Sequence, residues 1–494
     1  MEVTERDEAG HIFRIRVEDS KAAQLLPDQN TKNNGTSRPS FLSFLTRVFL
    51  PSGYPRSVSP DYLRYQILNA LQAFCSSLTS LLSSRATLEG YGVGDASASA
   101  TNALLLTVLQ DIFGRLTTIL GAFFFGSSLF PEAKKYRFLA DVLNDAATII
   151  DTLSPLLVSL YDTYAPSIAT SLPFLPPTVP LRVYTLCASA SLRALCGIAA
   201  GGSKTAITMH FATPLEGTGD AGDLNAKDSS KETILALFGM LIGTIAVPYL
   251  TTPWSTYTVL FLMVSLHLFI NYIAVRGIVL RSMNRQRACL AWVLFKSERS
   301  LPITPSHLAT LEHLLMHSDD DIRSYPSGNK IGQCTMGSSF SACYSNPETI
   351  ALFAHKRYIL CLDKKSSLVV GKAPHLHILL KDGYNSADQL QAWLLACEVA
   401  RIFASHPSET RMTVLIKDAI ASVDKDYATF MEDMQKHGWV TVALSSNGST
   451  SSKDESDYHS PALLPGSQTL SFTVGSPKSV ILDFQPSREG KKSQ

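Results

Sequence analysis

The sequence predicts a mainly α protein: a multi-helix, membrane-embedded bundle of about six apolar helices, followed by a small α+β domain. Three observations carry this. Charge is low and uneven. Only 17% of the 494 residues are charged, against about 25% in ordinary soluble domains. Residues 61–280 hold 26 Asp, Glu, Lys or Arg in 220 positions, while the other 274 positions hold 59. Residues 233–275 then run for 43 positions with no charge at all. From about residue 300 the pattern changes to short apolar runs and amphipathic helices, as in a soluble domain. The 45% hydrophobic content excludes a disordered chain, and a net charge of +1 leaves no basic excess for nucleic acid.

Residues 1–40 read as a polar tail, acidic at Glu2, Glu5, Asp7 and Glu8. Neither a secretory signal nor a plastid transit peptide is expected, because both require a basic, acid-poor start. Ser40–Leu50 is short and apolar, which suits an interfacial or packing helix. The helical domain is expected over 41–295. Its clearest segments are Ile234–Val247 and Tyr257–Val275, split by Pro248 and Pro253. Weaker candidates cover 62–84, 97–126, 138–161 and 183–211. Six crossings with a cytosolic N-terminus put Lys134, Lys135, Arg137, Lys227 and Lys231 on the cytosolic side, and little positive charge opposite. The C-terminal domain (300–445) would then also be cytosolic; the organelle is open.

In 300–445, Tyr358–Leu362, Leu368–Val370 and Leu376–Leu380 read as strands. Ser386 with Gln389 reads as a capping box that opens a helix to about Phe403. A second helix is expected over about 418–436, then a strand at Val440–Leu444. Residues 446–494 read as a Ser-rich linker and tail, in which Thr469–Val474 and Ser479–Phe484 could return as strands.

Several motifs fail on inspection. Gly90, Gly92 and Gly94 follow a helix, whereas a dinucleotide fingerprint follows a strand. Gly201 to Thr205 resembles a phosphate loop, but Ser203 stands where that loop needs Gly. The eight Cys contain no CxxC, so neither a disulfide framework nor a zinc site is indicated. His375 and His377 share a strand face without a third ligand in sequence, and read as a surface pair. No metal site, cofactor or catalytic residue is expected.

Ionisable groups inside apolar helices are the informative exceptions, since each costs about 2.5–3.5 kcal/mol at mid-bilayer unless paired. Asp111 and Arg115 are four apart, as are Arg137 and Asp141, and Asp141 and Asp145. Arg193 and Lys204 lie in the fourth segment. His267 and Asn271, also four apart, can hydrogen-bond across the bundle. With His210, these nominate a polar cavity or interface: Asp111, Arg115, Arg137, Asp141, Asp145, Lys204, His210, His267 and Asn271.

Ordered motifs carry a family resemblance. SGYPRSVSPDYLRYQ (52–66), GYGVGDASA (90–98), Asp111 to Arg115, KKYRFLADVLNDAA (134–147), GGSKTAITMHFA (201–212), GDLNAKDSSKETI (222–234), HLFINYIAVR (267–276) and NRQR (284–287) resemble the root UVB-sensitive (RUS) family domain. Residues 300–445 resemble its C-terminal domain. Lys204 departs from the family's Arg, which removes the planar fork of a bidentate anion contact. The resemblance implies membrane association and a link to UV-B sensitivity and vitamin B6 homeostasis, with no established activity. The expected function is a non-enzymatic membrane protein that contacts lipid and another family member or a second copy. A small-solute carrier is the alternative, and a B6-linked enzyme using Lys204 is the third reading.

Overall fold

The computed structural model describes residues 2–6, 12–16, 24–26, 48–91, 93, 99–168, 181–214, 219–298, 301–314, 318–344, 347–363, 373–405, 412–443 and 468–482. The chain divides between Ile278 and Val279 into two compact units.

The first unit begins with a small antiparallel sheet, β1 (Glu2–Arg6), β2 (Ile12–Arg16) and β3 (Gln24–Leu26), within the segment read as a polar tail. Most of Ser40–Leu50 lies outside the described residues. Six long helices follow: α1 (Tyr62–Gly90), α2 (Ala100–Phe125), α3 (Ala133–Ile168), α4 (Leu181–Phe211), α5 (Ala221–Ala246) and α6 (Pro253–Arg276). Their starts follow from local chemistry. Asp220 accepts from the Gly222 and Asp223 amides to cap α5, and Thr252 accepts from the Ser255 amide to cap α6, with Pro253 in the first turn. Gly201–Thr205 lies within α4, so no phosphate loop forms there.

Each expected apolar segment is a helix, but only four described helical stretches are long and apolar enough to cross a membrane: Ala100–Ser128, Leu181–Phe211, Ala221–Tyr249 and Pro253–Arg276. α1 and α3 fall short of that measure because they carry more polar residues. Those residues point inward, as described below. The apolar faces of α2, α5 and α6 point outward: Phe123, Phe124, Leu237, Leu241, Leu262 and Phe269 are all exposed.

α1 contacts α3, α5 and α6, and α4 lies along α2 and α3. The α1–α5 contact is close because α5 offers Gly239 and Gly243, four apart. A Cβ at Gly239 would stand 2.7 Å from the Phe74 carbonyl oxygen and 2.9 Å from Ser77 Cβ. Small residues at this spacing let helix backbones approach.

The second unit is α+β. Its mixed sheet runs β4 (Asp321–Arg323), β5 (Lys330–Met336), β8 (His375–Lys381), β7 (Tyr358–Asp363), β6 (Cys343–Tyr344). β5 and β8 are parallel; β7 and β8 are antiparallel. The helices are α7 (Arg285–Ser297), α8 (Pro305–Leu311), α9 (Pro347–Ala351), α10 (Ser386–Ser405) and α11 (Met412–Lys436). Trp292, Trp393 and Phe430 centre the core. β4 and β5 were not foreseen, and Leu368–Val370 lies outside the described residues.

The α10 capping box is one residue earlier than the sequence suggests. Asn385 and Asp388 exchange reciprocal amide hydrogen bonds, each 3.0 Å, so Ser386 is already helical. Part of the expected tail also belongs to the fold. β10 (Gln468–Leu470) pairs with β9 (Thr441–Ala443), and β11 (Val480–Ile481) extends the sheet beside β8. Gly337 ends β5 with φ +71°, where an added Cβ would meet Pro477 Cα at 2.6 Å. That close approach lets the chain before β11 cross over the end of β5.

A buried carboxylate ties three helices of this unit. Glu398 accepts from Trp292 Nε1 (3.1 Å), Ser422 Oγ (2.7 Å) and Arg401 Nε (2.9 Å). Burial pulls its carboxyl up, but the Arg401 fork, Ser422 and the nearby Lys296 outweigh burial and hold it below the usual range.

Candidate functional site: a polar seam inside the helical unit

α1 is the inverse of a surface helix. Gln66, Asn69, Gln72, Thr79 and Ser83 recur at helical spacing and are buried, whereas Leu63, Ile67 and Leu71 are exposed. The neighbouring helices answer this stripe with charge. Tyr62 donates to Asp228 (2.8 Å), Gln66 donates to the same carboxylate (2.6 Å), and Lys231 sits 3.0 Å from it. Asn69 donates to Glu232 (2.7 Å) and accepts from Arg137 (3.2 Å). Arg137 also reaches Tyr65 and Asp141, both at 3.2 Å. Asp141 accepts from Gln72 and from Asn271, the latter at 2.6 Å. Asp145 meets His267 Nδ1 at 2.6 Å. Further along, Asp151 accepts from Ser83 (3.1 Å) and from Arg193.

These groups form a seam along α1 from Tyr62 to Ser83. At 1.5 Å per residue that is about 31 Å of helix, close to the roughly 30 Å of a hydrocarbon core. The seam holds five carboxylates (Asp141, Asp145, Asp151, Asp228, Glu232) and four cations (Arg137, Arg193, Lys204, Lys231), plus His267. Arg193, Lys204 and Glu232 are partly exposed; the buried remainder is tolerated because nearly every group has a partner.

The structure brings together five of the nine nominated residues: Arg137, Asp141, Asp145, His267 and Asn271. Lys204 joins through Glu232 at 3.4 Å, so its partner is a carboxylate of this chain. His210 is apart, 3.1 Å from Asp61 just before α1. Asp111 and Arg115 are not in the seam. Their 3.7 Å pair has side chains 70% and 81% exposed, whereas the Arg137–Asp141 pair is 15% and 12% exposed. Sequence reasoning missed Tyr62, Gln66, Asn69, Gln72, Asp151, Asp228 and Glu232. The periodic polar stripe in α1 was the available signal.

Asp111 and Arg115 instead line an open cavity, a groove of about 770 Å³ bordered by α1 to α4. Ser80, Ser83, Thr87, Gln110 and Ser189 contribute hydroxyl and amide groups to its wall, and Asp151 and Arg193 connect it to the seam. The volume lies within the range of small-molecule sites, about 300–1,000 Å³.

Among the described residues, one group has metal-ligating chemistry: Asp363, His375 and His377 in the second unit. The two His were expected to be a surface pair lacking a third ligand. Instead His377 is buried, and Asp363 reaches both rings from the adjacent strand, a proximity that only strand pairing creates.

Residues 35–299 match the family model described as a vitamin B6 photo-protection and homoeostasis domain. The chain is 36% identical over 297 residues to RUS family member 1 of Dictyostelium discoideum, covering 59% of this chain and 51% of that protein. It therefore spans about half the length of that relative. It is 27% identical over 406 residues to the protein root UVB sensitive 3 of Arabidopsis thaliana (81% and 83% covered). It is 25% identical over 407 residues to root UVB sensitive 2, chloroplastic, of the same plant (81% and 82% covered). No solved structure matches.

Proposed function

The chain belongs to the root UVB-sensitive family, and from that premise we propose that it is a non-enzymatic integral membrane protein that binds a small charged solute in the α1–α4 cavity. The observation that carries this is the cavity itself, walled by Asp111, Arg115, Asp151 and Arg193. Both signs of charge on one wall suit a zwitterionic or anionic solute. The family model's description makes B6 vitamers the first ligands to try.

Membrane embedding is supported by the outward apolar faces of α2, α5 and α6 and by exposed Tyr249 after α5 and Trp254 in the first turn of α6, the placement of an interfacial aromatic belt. In this reading α1 and α3 cross inside the bundle, their polar faces shielded from lipid by their neighbours. Lys134, Lys135, Lys227 and Lys231 fall at one end of the helices, which supports a cytosolic assignment for that end. A carrier role is the second reading, favoured by the seam's membrane-like length. An enzyme using Lys204 is disfavoured, because Lys204 is ion-paired with Glu232 and Gly201–Thr205 is helical rather than an anion-binding loop.

Two experiments test the proposal. Alkaline carbonate should leave the full-length protein in the membrane pellet; release into the supernatant overturns the integral assignment. Detergent-purified protein should bind pyridoxine or pyridoxal 5′-phosphate by calorimetry, and Arg115→Gln and Arg193→Gln should weaken binding at least about tenfold, the effect of losing one charge-assisted hydrogen bond. No binding, or binding indifferent to both substitutions, overturns the solute assignment.

A further inference from the structure

The chemistry least explained by a helical membrane protein lies in the second unit. β7 and β8 pair with Cys361 opposite His377 and Leu362 opposite Leu376, so the next position sets Asp363 beside His375. Alternation along β8 sends Leu376, Ile378 and Leu380 to one face of the sheet and both His to the other. The first face is covered by α10: Gly332, which shares it on β5, leaves space that Ala400 fills. The His face therefore gathers its polar groups away from the main helix.

His375 Nδ1 lies 3.4 Å from one Asp363 carboxylate oxygen, and His377 Nε2 lies 3.5 Å from the other. These separations are long for hydrogen bonds, and His377 Nε2 is buried without a hydrogen-bond partner. The outer ring nitrogens bear on what faces the carboxylate. Ser338 Oγ lies 2.8 Å from His377 Nδ1 and 3.2 Å from the Thr335 carbonyl. Thr335 Oγ1 lies 3.2 Å from His375 Nε2 and 3.4 Å from Asp320. In the tautomers that carry their protons on these outer nitrogens, both imidazoles turn lone pairs towards the carboxylate, and a cation between the three groups is then favoured.

We propose that Asp363, His375 and His377 bind a divalent transition-metal ion, zinc first, through one carboxylate oxygen, Nδ1 and Nε2. The three ligand atoms lie within 4.8 Å of one another. Ligands at about 2.0–2.1 Å in a tetrahedron sit about 3.3 Å apart; each His nitrogen is near that distance from a different Asp363 oxygen, so a small turn of the carboxylate presents one oxygen to both. Ser338 and Thr335 are positioning residues that fix the tautomers, as partners of metal-bound His commonly do. Three protein ligands leave a fourth position for water or an anionic group. The site is independent of the solute cavity, so failure of either proposal leaves the other standing.

The test uses tag-free, full-length protein in detergent, stripped with a chelator, dialysed, and titrated with Zn²⁺ and separately with Co²⁺. One equivalent per chain should bind, and Co²⁺ should give the intense visible bands of a tetrahedral nitrogen–oxygen site. Asp363→Asn and His377→Gln should each weaken binding more than tenfold, and Ser338→Ala by about tenfold. His355→Ala, at an exposed His outside the group, should leave it unchanged. Circular dichroism of each variant separates lost ligation from lost folding, and the wild-type cobalt spectrum reads coordination without any substitution. Uptake below stoichiometry, a spectrum of hydrated Co²⁺, or binding unchanged in folded Asp363→Asn and His377→Gln overturns the site.

Discussion

The two Asp/Arg pairs with the same four-residue spacing should behave oppositely in double-mutant cycles. Arg137–Asp141 is buried at 3.2 Å, and Asp111–Arg115 is exposed at 3.7 Å. For the buried pair, Coulomb attraction at an effective dielectric of about 20 is about 5 kcal/mol. Part of this persists in single variants, because Asn69 and Tyr65 still hold Arg137 while Asn271 and Gln72 still hold Asp141. The coupling energy expected from Arg137→Met with Asp141→Asn is therefore about 2–4 kcal/mol. Each single change should be costly, since it leaves a buried charge without its counter-ion. The exposed pair should couple by under about 1 kcal/mol. The assay is reversible unfolding of the full-length protein in mixed micelles, with both cycles in one buffer. Equal couplings, or a 137–141 coupling under about 1 kcal/mol, would refute the buried-seam account.

Three further outcomes are expected. Gly239→Val should lower stability in the same assay by about 1–3 kcal/mol or more through overpacking, because its Cβ meets the Phe74 backbone at 2.7 Å; Gly197→Ala, with nothing within 4 Å, should be neutral or stabilising. Glu398→Gln should destabilise the second unit by about 1–3 kcal/mol, read from the unfolding transition of buried Trp292 and Trp393, because Arg401 loses its counter-charge while Lys296 keeps Asp426 at 2.5 Å. Lys381, whose ammonium donates to the Phe353 carbonyl, is pushed down to about 8 by burial and the Arg357 charge. Its folded value is below the unfolded one of about 10.4, so the unfolded state binds more protons between those values and stability rises with pH there. Relative to Lys381→Met, the wild type should therefore gain up to about 3 kcal/mol between pH 8 and about 10 in matched melts; a flat difference would contradict this.

The sequence by itself determined the helices and their order. Long uncharged runs placed α2, α4, α5 and α6, because apolar length and breakers such as Pro248 and Pro253 are local properties. It also determined the family, through motifs that keep their order, and β7, β8, α10 and α11 to within a few residues at most ends. It did not determine which charges are inside. By the local rule, an acid preceding a base by four positions is the better pair, which favours Asp111–Arg115 over Arg137–Asp141. Only tertiary structure reversed that ranking, because α3's charged face is enclosed by α1 and α6 while the Asp111–Arg115 face of α2 stays open. Helical periodicity fixes which residues share a face, not what that face meets. The same holds for Asp363: its strand was legible, but its place beside His375 and His377 depends on the register of β7 against β8, which no local pattern encodes.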